Sequence, residues 1–141
     1  MSMTQMAFLN RSEMPTNDKI QEHLQGLGYD FEFLDKEALM GGMPGGREFR
    51  MNGKRTMVQV FTNTTEEFLD EFDEIEFRPE GKDTAISFIW GADFVAGTCV
   101  LLLSLALIDL CDALSYYLDD EMEYTREMHL DDLPVLLKEI R

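Results

Sequence analysis

Apolar and polar positions repeat with two periods along this chain, and each period predicts a different element. Ile20, Leu24 and Leu27 recur at i, i+4 and i+7, one stripe of a helix. Thr16 or Asn17 can cap it, Asp18 suits its first turn, and Gly26 and Gly28 end it. Tyr29 to Phe33 then alternates strictly, as a half-buried strand does. The runs Arg47–Met51 and Arg55–Phe61 flank Asn52-Gly53, whose tolerance of positive φ predicts a hairpin. Thr64 or Thr65 starts a helix running to about Glu74, with Glu67 at capping-box spacing from Thr64. Phe68, Leu69, Phe72 and Ile75 form its apolar stripe. After a turn at Pro79–Asp83, Thr84 to Trp90 is mostly apolar and β-branched, the pattern of a central strand.

The segment from Asp93 to about Leu118 predicts one long helix. Phe94 to Ile108 is almost wholly apolar. A membrane span needs about 20 apolar residues, and this run is shorter. On a helical projection Thr98, Ser104, Asp109, Asp112, Ser115 and Asp119 gather on one side. Both points favour a core helix packed on a sheet over a span. A last helix is expected from about Leu133 to Ile140, capped by Asp131 or Asp132, with Pro134 in its first turn. The order helix, strand, hairpin, helix, strand, helix, helix predicts one α+β domain over 1–141. Its mostly antiparallel sheet packs against the long apolar helix of the C-terminal half.

Composition agrees with a folded chain: 45% of the 141 residues are hydrophobic and 11% aromatic. Charge changes the picture more. The net charge is −16, and almost all of it lies beyond residue 63. Such asymmetry argues against nucleic acid or an anionic membrane as partner, because phosphate binding needs a positive footprint. A basic protein is its natural complement, since opposite fields raise association rates, and acidity that serves solubility alone is the equal alternative.

Cys99 and Cys111 on one helix would stand about 18 Å apart along its axis, beyond disulfide reach. Free thiols suit a reducing compartment, and Met1 to Arg11 carries no secretory pattern, so a cytoplasmic location is expected.

Candidate chemistry is sparse. The Gly41–Gly46 loop lacks the lysine, hydroxyl and following helix of a phosphate-binding loop, which leaves a mobile surface connection or one that orders on a partner. His23 and His129 have no second His or Cys at ligand spacing, so no metal and no cofactor are expected. His129 precedes Asp131 and Asp132, but a nucleophile would have to arrive from elsewhere, and an exposed histidine beside a helix cap is the preferred reading. No catalytic constellation is visible, and the chain is not expected to be an enzyme.

Two acidic clusters remain. Glu66, Glu67, Asp70 and Glu71 begin the first, which reads equally well as a solvated helix face. Asp119, Asp120, Glu121 and Glu123 form the second, bracketed by Tyr116, Tyr117 and Tyr124. Aromatics anchor interfaces and acids complement a Lys- or Arg-rich surface, so these eleven residues are the candidate partner-binding set, although the tyrosines read equally well as core. In size, acidity, the run Ile86–Phe94 entering an apolar helix, and the acidic C-terminal third, the chain resembles a known type. These are the small acidic cytoplasmic immunity proteins that protect bacteria from secreted polymorphic toxins, including those of type VI secretion. The resemblance implies tight binding to one toxin domain, often over its active site. The alternatives are a DNA-mimicking anti-defence protein and a small enzyme with a pocket near the glycine-rich loop. A homodimer through an exposed sheet edge stays open.

Overall fold

The computed structural model describes residues 2–40 and 43–140. Its elements are β1 (Met3–Leu9), α1 (Asn17–Gly26), β2 (Phe31–Phe33), β3 (Gly45–Met51), β4 (Lys54–Thr64), α2 (Thr65–Glu71), β5 (Thr84–Trp90), α3 (Phe94–Cys111), β6 (Leu114–Tyr117), β7 (Met122–Tyr124) and α4 (Arg126–Glu139). The strands form one sheet in the order β2-β3-β4-β5-β1-β6-β7, and every neighbouring pair is antiparallel. This is a single-domain α+β fold with the apolar α3 packed on the sheet.

Local signals are met where they are strong. The Thr16 hydroxyl accepts the Lys19 amide at the start of α1. Thr64 and Glu67 close a reciprocal capping box on α2, which stops at Glu71, short of Glu74. Asn52 and Gly53 take φ of 52° and 78°, the paired left-handed turn expected between β3 and β4. Strand β3 begins at Gly45, so Gly45 and Gly46 belong to the sheet, while Gly41 and Gly42 lie outside the described residues.

α3 is enclosed on nearly all sides. Leu102, Leu103, Leu105 and Leu107 are fully buried, and 72% of the helix is inside the fold. It is long and apolar enough to cross a membrane by length and composition, yet its apolar surface is spent on the core. Beneath it lie Val58 and Val60 of β4, Ile86 and Phe88 of β5, and Ala7 and Leu9 of β1. Its buried hydroxyls are satisfied by its own backbone: Thr98 donates to the Phe94 carbonyl and Ser104 to that of Val100. Its one charged residue, Asp109, ties the flanking helices together. Arg126 Nε lies 2.6 Å from Asp109 Oδ1, and His23 Nε2 lies 2.8 Å from Oδ2. Burial raises the Asp109 carboxyl, but the Arg126 and His23 hydrogen bonds outweigh it and hold the group below the ordinary carboxylate range.

Three expectations are corrected. Met3–Leu9, read only for the absence of a leader, is a strand near the sheet's middle, between β5 and β6. It is buried on both faces: Ala7 and Leu9 face α3, while Met6 and Phe8 pack under α2. The long helix ends at Cys111, not near Leu118. Asp112 adopts a left-handed conformation (φ 55°, ψ 40°), and its amide bonds the Ile108 carbonyl. Leu114–Tyr117 then pairs with β1 instead of continuing the helix. The last helix starts at Arg126, capped by Thr125, so Asp131 and Asp132 lie within it and not at its cap.

Enclosure of α3 predicts position-dependent costs. Leu102→Ala, fully buried, is expected to cost about 2–5 kcal/mol of stability in urea unfolding, while Leu110→Ala, 38% exposed on the same helix, costs less than about 1 kcal/mol.

Candidate partner-binding site

The two acidic clusters, separated by some fifty residues in sequence, meet on one surface. Past α2 the chain turns back across the sheet face opposite α3. Ile75 is buried there, and the Phe68 and Phe72 rings meet at a tilt of 36° with centroids 5.1 Å apart. Strand β6 ends beside this segment, and a short 3-10 turn over Leu118–Asp120 follows. Between them lies a groove of about 450 Å³ with Phe72, Ile75 and Leu118 at its base. Glu71, Asp73 and Glu74 line one wall, and Asp119 and Glu121 the other. Among the described residues no Lys or Arg lines it. Arg78, the nearest base in sequence, is folded back on its own segment, donating to the carbonyls of Ile75, Phe77 and Asp73.

The candidate residues divide into three groups. Glu71, Asp119 and Glu121 line the groove. Glu66, Glu67 and Asp70 are exposed on α2 outside its lining, as are Asp120 and Glu123 near β7. Two of the acids also hold the fold: Glu67 accepts the Thr64 amide in the cap, and Asp119 Oδ2 accepts the Thr4 amide at 2.7 Å, pinning the turn to β1. The tyrosines separate because successive strand residues face opposite ways. Tyr116 is buried on the groove side, stacked on Phe77 with centroids 4.4 Å apart. Tyr117 and Tyr124 face the α3 side, where they line a different cavity with Trp90. The three tyrosines therefore do not form one anchor cluster.

His129 is corrected from exposed to fully buried. Its Nε2 lies 2.9 Å from the Ser115 hydroxyl, which also accepts a hydrogen bond from the Gln5 amide nitrogen at 2.7 Å. The hydroxyl absent from the sequence neighbourhood of His129 thus arrives from β6. Ser115 is itself buried, and His129 Nδ1 has no partner among the described residues, so the pair lacks the orienting carboxylate of a catalytic triad. Burial pushes the imidazole down to about 4. Cys99 and Cys111 are free and buried; burial pushes the first thiol up to about 12 and the second to about 11, away from the reactive thiolate. Among the described residues no three His, Cys, Asp or Glu side chains gather as a metal set. Burial of His129 and Ser115 could not be read from spacing; it follows from β6 pairing with β1 beneath α4.

The lowered imidazole sets a pH dependence. As pH falls below about 6.5 the unfolded chain takes up the proton that folded His129 refuses, so stability is full above that pH and declines toward pH 4. Between about pH 7.5 and about pH 5, urea unfolding should show the wild type losing about 2 kcal/mol more than His129→Gln.

No protein-family model, no curated protein and no solved structure matches this chain.

Proposed function

We propose that this chain is a protein-binding inhibitor: an immunity-type protein that neutralises a cognate basic bacterial toxin by binding it directly in the cytoplasm. The observation that carries the reading is the meeting of two sequence-remote acidic segments around one groove. Glu71, Asp73 and Glu74 face Asp119 and Glu121 over an apolar base, with no cation in the lining among the described residues. Such a surface steers a cationic protein and orients it at encounter. Partly buried Phe72 and Leu118 at the base offer apolar area that a partner side chain can cover, where binding energy concentrates. The two free, buried cysteines suit a reducing compartment.

The test is co-expression with the protein encoded beside this chain's gene. That protein should be toxic alone, harmless with this chain present, and co-purify with it. Glu71→Lys combined with Glu121→Lys places one reversal on each wall without touching the Asp119 contact to β1. Association measured by stopped flow at low salt should slow by about tenfold or more. A harmless neighbour removes the inhibitor reading, and an unchanged rate removes the groove as its interface. Displacement of the partner by duplex DNA would favour the DNA-mimic alternative.

A further inference from the structure

On the α3 side of the sheet, where β1 begins and β5 ends beside the start of α3, lies a cavity of about 470 Å³. That volume falls within the roughly 300–1,000 Å³ of small-molecule sites. Its wall is aromatic. Trp90, Tyr117 and Tyr124 follow one another, with centroids 6.4 Å apart between the first two rings and 6.1 Å between the last two. The rings are inclined at 41° and 68°, so the wall curves around the space instead of filling it. Trp90 lies close against α3 because residue 97 is glycine: a Cβ there would sit 3.2 Å from the indole nitrogen. Phe94 and Val135 of its lining are 51% and 62% exposed, leaving apolar surface that a ligand can cover.

The charged groups that line the cavity carry one sign. Asp93 and Asp132 line it, and among the described residues no Lys, Arg or His does. Asp93 is engaged, capping the Val95 amide and accepting the Thr56 hydroxyl. That cap also occupies the helix end which would otherwise draw an anion. Asp132 makes no ion pair among the described residues and stands beside the Tyr124 hydroxyl. Ring faces and carboxylates both attract a positive charge, and a cation held within about 6 Å of several ring centroids gains from each.

We infer that this cavity is a binding site for a small organic cation with an apolar body, such as an aryl- or alkylammonium compound. The ammonium group sits against Tyr117, Tyr124 and the Asp132 carboxylate, and the apolar body lies along Trp90 and Phe94. The site is independent of the acidic groove, which lies on the opposite face of the sheet.

Trp90 is the only tryptophan in the chain, so its emission reports the site alone. Three probes of similar body separate the contributions: 2-phenylethylammonium, neutral 2-phenylethanol and anionic phenylacetate. At neutral pH the cation should change Trp90 emission saturably and bind about tenfold or more tighter than the alcohol, with no saturation by phenylacetate. Asp132→Asn should remove most of that preference while leaving the alcohol's affinity unchanged, and Phe94→Ala should weaken both. No saturable change with the cation, or equal binding of the alcohol, overturns the proposal. Emission that shifts with protein concentration alone assigns the cavity to a second copy of the chain and also overturns it.

Discussion

A helix that is apolar on every side has to be enclosed on every side, and α3 imposes that requirement on the rest of this chain. Its eighteen residues hold one charged group, so no face of it suits water well. The sheet supplies a floor, and α1 and α4 supply the flanks. Asp109, the exception, becomes the anchor for both flanking helices through His23 and Arg126. Buried hydroxyls on α3 bond back to its own carbonyls, so enclosing it strands none of them.

The sheet in turn must be hydrophobic on two faces at its middle. β1 meets this with the contiguous run Met6–Leu9, two residues to each face. The second face receives α2 and the segment after it, whose aromatic residues cluster with Phe8 and Tyr116. That cover is small, and its outward side is almost entirely acidic. The groove between α2's trailing segment and the turn after β6 is a direct result: both segments use apolar residues to hold the sheet and turn carboxylates outward. Two concave surfaces therefore sit near one another on opposite faces of the sheet, one acidic over an aliphatic and aromatic base, the other aromatic with carboxylates among its lining. Among the described residues neither has a cationic lining residue.

Signals that act over a few residues were legible in advance. The Asn52-Gly53 turn, the Thr64–Glu67 box and the Thr16 cap each need only neighbours in sequence, and each is found. So was the place of Thr84–Trp90, whose apolar, β-branched composition is suited to a buried strand whatever its partners. The apolar spacing of Ala113–Leu118 continues the helical period of α3, so the sequence predicts helix where the structure has a strand. Serine and paired tyrosines fit a strand equally well, and the choice falls to Asp112's left-handed turn and to hydrogen bonds with β1, more than a hundred residues earlier. The same long-range pairing makes Met3–Leu9 a strand and buries His129, and neither fact has a local signature.

The sequence by itself determined the α+β class, the hairpin, the burial of the long apolar helix and the acidity of the C-terminal half, because composition and short-range periodicity carry those properties. Tertiary structure alone decided where the helix stops, which strand lies between β5 and β6, and that Glu71 and Glu121 share a groove while Tyr116 and Tyr117 face opposite ways. A strand's pairing fixes the side to which each residue points, and pairing is a choice among distant segments that no single stretch of chain contains.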